Sequence, residues 1–220
     1  MRKRAVDKNA SIGIGTIVIF IAMVLVAGIA ASVIIQTMNS MEQQAMRAGQ
    51  ETTEEVSTGI SIFDIKGYVP SSSGNIDNIT ITVRPRAGSA DIDLGQVFIE
   101  LANTGYKVIM TYDTAGSHNW NDSATGVDDV FSVACFPAAA NRFGIMVLED
   151  ADGSCQQANP VINRGDKVLL CVDTTQSFST TGGINERIDI WGMACPEQGS
   201  PGVISFTTPA SYNDNIFDLQ

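Results

Sequence analysis

The chain has 220 residues, which is enough for one globular domain and one extended element. Its formal net charge is −11, with 24 acidic side chains against 13 Lys and Arg. A surface this acidic repels phosphate backbones, so nucleic acid is excluded as the partner, and it suits a body that stays soluble outside the cell.

The first predicted element is a long helix. No residue from Asn9 to Met41 is charged, and Ile12 to Ile35 is almost wholly apolar. This run exceeds the roughly 20 residues that a membrane-spanning helix needs. Four Lys and Arg lie within the first ten positions, so the positive-inside rule places the N-terminus in the cytoplasm and the remainder outside.

The helical pattern continues beyond the length that a bilayer requires. Apolar or small residues recur at steps of three and four, and the first proline is Pro70; the stripe is Met38, Met41, Ala45, Ala48 and Thr52. A helix from about Ser11 to Ser57 would be about 70 Å long. An uncleaved membrane anchor explains the charge and hydropathy as well as a polymerising helix does. Only a helix packed against copies of itself, however, needs the polar second half of this element. Small residues such as Gly28 and Ser32 allow close helix approach.

After Gly59 the hydrophobic period changes from about 3.6 to two, which predicts strands separated by Gly, Asn, Asp and Pro turns. The Gly116–Asp129 stretch, with Trp120, reads as a long exposed loop. An antiparallel β-sandwich follows from this spacing, and an open barrel is the lesser alternative. The predicted strands are Ile60–Val69, Asn78–Pro85, Gln96–Leu101, Lys107–Tyr112, Val130–Cys135, Arg142–Leu148, Lys167–Asp173, Arg187–Met193 and Gly202–Thr207.

All the cysteines lie in the C-terminal half, at Cys135, Cys155, Cys171 and Cys195. They include no CxxC pair, and His118 is the single histidine, so a zinc site is not expected. An even number in an exported domain favours two disulfides. Of the three connectivities we favour Cys135–Cys155 and Cys171–Cys195, which close short loops; four buried thiols are the alternative.

No catalytic set is evident, because a nucleophile–base arrangement would have to use His118 in a polar loop. We therefore expect no enzyme activity and no cofactor. Carboxylates around the long loop offer oxygen ligands to a structural calcium ion, although a solvated acidic loop is the simpler interpretation. Those carboxylates belong to Asp113, Asp122, Asp128 and Asp129.

Two Asn-x-Ser/Thr sequons begin at Asn78 and Asn121 and are candidate glycosylation sites. Asn121 falls in the predicted loop, whereas Asn78 opens a predicted strand.

Four segments closely resemble the archaeal flagellins, or archaellins. The most specific is Asn9–Thr37, with the sequence NASIGIGTIVIFIAMVLVAGIAASVIIQT. Glu51–Gly59 resembles the family's helix exit, Val83–Leu94 an early sheet motif, and Gly202–Tyr212 the closing strand.

The resemblance implies a precursor whose basic leader, residues 1–10, is removed by a membrane-embedded prepilin-like peptidase. The bond would be Ala10–Ser11, with Lys8 and Gly13 recognised around it. It further implies that helices 11–58 pack in the core of a rotating motility filament, with paralogous subunits possible and a motor at the membrane. The outer domains, 59–220, would be immunoglobulin-like sandwiches that tile the extracellular surface.

Two other functions compete with this one. An adhesive type IV pilin shares the leader and helix, but pilins generally carry Glu at the fifth residue after the cut, where this chain has Gly15. A membrane-anchored binding module would keep its helix uncut, and a mature chain beginning at Ser11 would exclude it.

Overall fold

The computed structural model describes residues 3–70, 74–114, 119–121, 129–132 and 135–220, with side chains from residue 12 onward except at 119–121. Contacts divide the chain into two compact units, Met1–Glu51 and Thr52–Gln220.

A single helix, α1, runs from Lys3 to Ser57 and is about 80 Å long at 1.5 Å per residue. It begins before the predicted start at Ser11 and ends at the predicted residue. No proline interrupts it, and its apolar first half is long enough to cross a membrane.

The second unit is built mainly from strands. Its elements are β1 (Ile60–Tyr68), β2 (Asn78–Pro85), β3 (Ile92–Asp93), β4 (Phe98–Ala102), β5 (Lys107–Tyr112), β6 (Asn119–Asn121), a 3-10 turn (Val130–Ser132), β7 (Arg142–Glu149), β8 (Cys155–Gln156), β9 (Asn159–Ile162), β10 (Lys167–Asp173), α2 (Thr174–Ser177), β11 (Asp189–Cys195), β12 (Gly202–Thr207) and β13 (Ile216–Asp218).

The main sheet has the order β12-β11-β4-β5-β7-β10-β2-β1-β13, with β6 beside β7. Its pairs are antiparallel except for β5 with β7 and β6 with β7. The sheet curls so that its two ends approach: a Cβ on Gly202 of β12 would lie 2.9 Å from the side chain of Ile62 on β1. The α+β class with an antiparallel domain is therefore confirmed, and one curled sheet supplies both layers of the sandwich.

The core lies inside this curl and is formed mainly by Ile, Val and Leu from every long strand. Central strands β7 and β10 are buried on both faces, which explains why their sequences are nearly continuously apolar. Their outer face carries a second, smaller cluster of Cys135, Met146, Leu169 and Cys171, flanked by Val130 and Phe136.

The predicted strand Val130–Cys135 is wrong, because its described residues begin with a 3-10 turn. The Asp129 carboxylate accepts the Phe131 N–H at 3.0 Å, and the Ser132 hydroxyl donates to the Asp129 carbonyl. Phe131 then stacks on Tyr68, with ring centroids 4.9 Å apart. Side-chain capping and aromatic stacking thus replace strand pairing here.

The predicted loop from Gly116 to Asp129 contains a short strand, β6. It pairs in parallel with β7 through Trp120 and Met146. Residues 115–118 and 122–128 of this stretch lie outside the described residues.

The residues after α1 are held by loops of the β domain. Thr58 is buried, its carbonyl accepts the Ser200 N–H at 2.9 Å, and its hydroxyl accepts the Ala90 N–H at 3.3 Å. Gly59 has no room for a side chain, since a Cβ would lie 2.8 Å from the Ser200 carbonyl oxygen. Gly59 lies just beyond the end of the helix, as predicted. Its lack of a side chain also lets the backbone at Ser200 approach closely.

Candidate functional site: the exposed apolar helix

The large apolar side chains of α1 are exposed along its first half. Between Ile12 and Met41 their exposed fractions run from 52% to 70%. Nothing in the described part of the chain buries this segment. Exposing so many apolar side chains to water is costly, at about 1.5–3 kcal/mol for each large one. The helix therefore has to be covered by lipid or by other protein molecules.

The glycines of the same helix support this conclusion. A Cβ added at Gly13, Gly15 or Gly28 would meet nothing within 4 Å. Glycine inside a helix costs about 1 kcal/mol relative to alanine, and no contact within the described chain requires it. Such positions are typical of helices that approach one another closely.

The residues proposed for leader processing lie near the start of α1. Lys8, Ala10 and Ser11 are on the helical backbone, but their side chains lie outside the described set. Gly13 is within the regular helix. The cleavage site and its recognition by Lys8 and Gly13 stay predictions.

Three carboxylates of the β domain converge where the sequence analysis expected none. Ligand oxygens of Asp150, Asp152 and Asp166 all lie within 4.8 Å of one another. The Gly153 N–H donates to Asp150 at 2.7 Å, and the Asn163 side-chain amide donates to Asp152. Oxygen ligands at this spacing suit a hard divalent cation such as Ca²⁺.

Asp166 is the buried member of this triad, with 2% of its surface exposed. One carboxylate oxygen accepts the Asn163 N–H at 2.8 Å, while Oδ1 has no hydrogen-bond partner. Burial raises the pKa of Asp166, and the charges of Asp150 and Asp152 raise it further. A bound cation would satisfy the orphaned oxygen and remove the repulsion.

The calcium ligands expected from sequence do not form this triad. Asp129 caps the turn at Phe131, and Asp122 and Asp128 lie outside the described residues. The sequence Asp150-Ala-Asp-Gly153 was the missed signal, because alternate carboxylates before a glycine are typical of calcium loops.

The cysteines lie in different surroundings. Cys135 and Cys171 are fully buried together in the small cluster, where burial first and then the neighbouring Cys135 raise the pKa of Cys171. Cys155 belongs to the main core, and burial raises its pKa to about 12. Cys195 is half-buried on β11. The structure thus brings together Cys135 and Cys171, which belong to separate pairs in the favoured connectivity.

The two sequons also differ. Asn78 is half-buried at the start of β2, paired on one side with Tyr68 and on the other with Asp173. Asn121 ends β6, and its side chain lies outside the described set. Glycosylation at either position stays a prediction.

Comparison with known proteins decides the family. The sequence model of the archaeal-type flagellin family matches residues 10–206 of this chain. The chain belongs to the archaeal flagellin family. It is 41% identical to flagellin B2 of Methanocaldococcus jannaschii over 218 residues, covering 97% of this chain and 96% of the relative. Identity to flagellin B1 of Methanococcus voltae is 38% over 215 residues, with the same coverage.

Solved structures agree with this flagellin assignment. The crystal structure of archaeal flagellin FlaB1 from Methanocaldococcus jannaschii has a TM-score of 0.63 and 33% identity, and covers 74% of this chain and 97% of that one. The archaeal flagellum of Methanospirillum hungatei shares the fold, with a TM-score of 0.61 at 12% identity over 94% and 98% of the two chains. This flagellin is a structural subunit of an archaeal motility filament.

We expect the triad to bind Ca²⁺. A hundredfold excess of the ion over its Kd should raise the melting temperature of the full chain in detergent micelles by about 5–10 °C, and chelator should reverse the rise. Asp166→Asn should abolish the rise while leaving the ion-free protein at least as stable at pH 7. The reason is that the pKa of Asp166 is raised in the folded chain. As the pH rises through that pKa, ionisation of the carboxyl lowers the free energy of unfolding. An unchanged calcium response in Asp166→Asn would contradict the assignment.

The contact between Cys135 and Cys171 predicts one disulfide joining them, with Cys155 and Cys195 left as thiols. The bond would close a loop of about 35 residues and add about 4 kcal/mol of stability. Subunits from filaments isolated without reductant and alkylated after denaturation should carry two labels, and their peptides should include the Cys135–Cys171 pair. Peptides joining Cys135 to Cys155 would restore the connectivity favoured from sequence, and four labels would show free thiols.

Proposed function

We propose that this flagellin polymerises through α1, with the apolar helices packed side by side in the filament core and the β domains outside. The observation that carries the proposal is the exposed apolar surface between Ile12 and Met41, together with three glycines that no contact within the described chain explains. The proposed role is structural, in keeping with the flagellin family.

The same surface explains how a subunit could leave the membrane. Lipid and a bundle of apolar helices are similar environments, so close packing and mass action can direct the transfer from one to the other. Release into water is different, because each CH₂ exposed again costs about 0.8 kcal/mol. Assembly would thus be accessible from the bilayer, and dissociation into water would be prevented.

The maturation pathway forms part of the proposal. A precursor held in the cell membrane by α1 would have its basic leader cut between Ala10 and Ser11 by a prepilin-like peptidase. The mature chain would then join the growing filament at a membrane-bound assembly motor, alone or with paralogous flagellins. The filament would lie outside the cell, where the acidic β domains keep it soluble.

A charge inside the apolar half of α1 should block assembly. Ala27→Asp would bury a carboxylate among apolar helices, a cost of several kcal/mol for each subunit. We expect no filaments by electron microscopy of whole cells, and a β domain that melts at the wild-type temperature. Gln44→Asp, in the polar half of the exposed helix, is the control and should assemble. Normal filaments from Ala27→Asp would exclude the buried-helix arrangement.

Leader removal should depend on the residues around the proposed bond. Ala10→Leu and Gly13→Val add bulk there, so an immunoblot should show the uncut precursor accumulating. Gly28→Val makes the same substitution farther along the same helix and should be cut normally. Complete processing of both Ala10→Leu and Gly13→Val would count against cleavage at Ala10–Ser11.

A further inference from the structure

One cleft of the β domain is basic although the chain as a whole is strongly acidic. It has a volume of about 450 Å³ and lies between the end of β2, the end of β7 and the start of β10. Four cationic side chains outnumber two carboxylates, Glu149 and Asp166, in its lining; the cations are Arg84, Arg86, Arg164 and Lys167. They are a large share of the 13 Lys and Arg in the sequence, four of which belong to the N-terminal leader.

Three of these cations have no carboxylate partner among the described residues. Lys167 binds Glu149 at 3.2 Å. Arg84, Arg86 and Arg164 are exposed, and no described carboxylate lies within ion-pair distance of them. Like charges gathered around one cleft repel each other unless an anion enters between them. The cleft is therefore suited to a ligand that carries several carboxylates.

The cleft opens beside the point where the chain leaves α1. The Arg86 N–H donates to the Gly59 carbonyl at 2.9 Å, and its Cδ lies 3.2 Å from where a Gly59 Cβ would be. Gly59 follows the helix end at Ser57 by two residues. The basic cleft thus lies beside the residues that directly follow the last turns of the helix.

Those last turns carry the complementary charge. Glu51, Glu54 and Glu55 are exposed, and no described Lys or Arg lies within ion-pair distance of them. Glu51 and Glu55 are one helical turn apart, where like charges destabilise a helix. We call Glu51–Glu55 the acidic exit segment. The described part of its own chain provides no ion-pair partner for these carboxylates.

We propose that the basic cleft of one subunit binds the acidic exit segment of a neighbouring copy in the filament. The inference rests on the proposed packing of α1, because helices side by side bring the exit of one copy near the cleft of the next. Charge complementarity between Arg84, Arg86 and Arg164 and the three glutamates would offset the repulsion between acidic domains and fix the register of neighbours.

A charge exchange tests the pairing. Arg86→Glu/Arg164→Glu and Glu54→Lys/Glu55→Lys should each lower the number of filaments per cell about tenfold or more. All four substitutions in one chain should restore the number to within about twofold of wild type, since opposite charges face each other again. Asp214→Lys/Glu186→Lys makes the same change of charge as Glu54→Lys/Glu55→Lys elsewhere on the surface and should assemble normally.

Melting of each full-length variant in detergent micelles separates folding from assembly. If Arg86→Glu/Arg164→Glu does not fold, Arg86→Gln/Arg164→Gln replaces it. Cells with this neutral variant should carry fewer filaments, and the dissociation of those filaments should depend less on salt than that of wild-type filaments. Wild-type filament numbers from folded cleft variants, or no rescue by the fourfold exchange, would overturn the pairing alone. Absence of filaments from the wild-type chain would overturn it together with the proposed polymerisation.

Discussion

The apolar surface of α1 is the constraint on which the rest of this flagellin depends. A helix of 55 residues carries large apolar side chains that are more than half exposed, and the described chain offers nothing to cover them. This surface is not compatible with a free monomer in water. Membrane insertion before assembly and burial among copies afterwards are the two solutions.

The β domain is arranged to hold the end of that helix firmly. Thr58 and Gly59 are bound to loops that carry Ser200, Ala90 and Arg86. Because the sheet curls, the loop before β12 reaches the start of β1 and helps to form this junction. A proposed cation at Asp166 and a proposed disulfide at Cys171 would fasten the loops on either side of β10. Rigidity of this kind suits a subunit of a motility filament.

Much of the architecture could be predicted from hydrophobic period alone. β2, β5, β10 and β12 begin and end at the residues predicted from the sequence. β3, β8 and β13 could not be found, because two or three residues carry no period. β3 and β13 pair with distant strands, and β8 forms a short hairpin with β9. The turn at Val130 was mistaken for a strand because its apolar residues pack outside the sheet, against Tyr68.

The candidate sites were harder to predict than the fold. Asp150 and Asp152 are two positions apart, but Asp166 joins them only through the fold. The same holds for the Cys135–Cys171 contact, since loop length favoured other partners. Exposure of α1 could be predicted because it depends on composition alone, whereas the basic cleft required knowing that β2 and β10 are adjacent.

The central claim is that sister helices cover α1 in the mature filament. A photocross-linking side chain at Val26, in the middle of the exposed apolar segment, tests it in sheared and washed filaments. The account predicts a ladder of covalent oligomers joined through residues of α1 in neighbouring copies. Monomers cross-linked only to lipid, or oligomers joined only through the β domain, would contradict it.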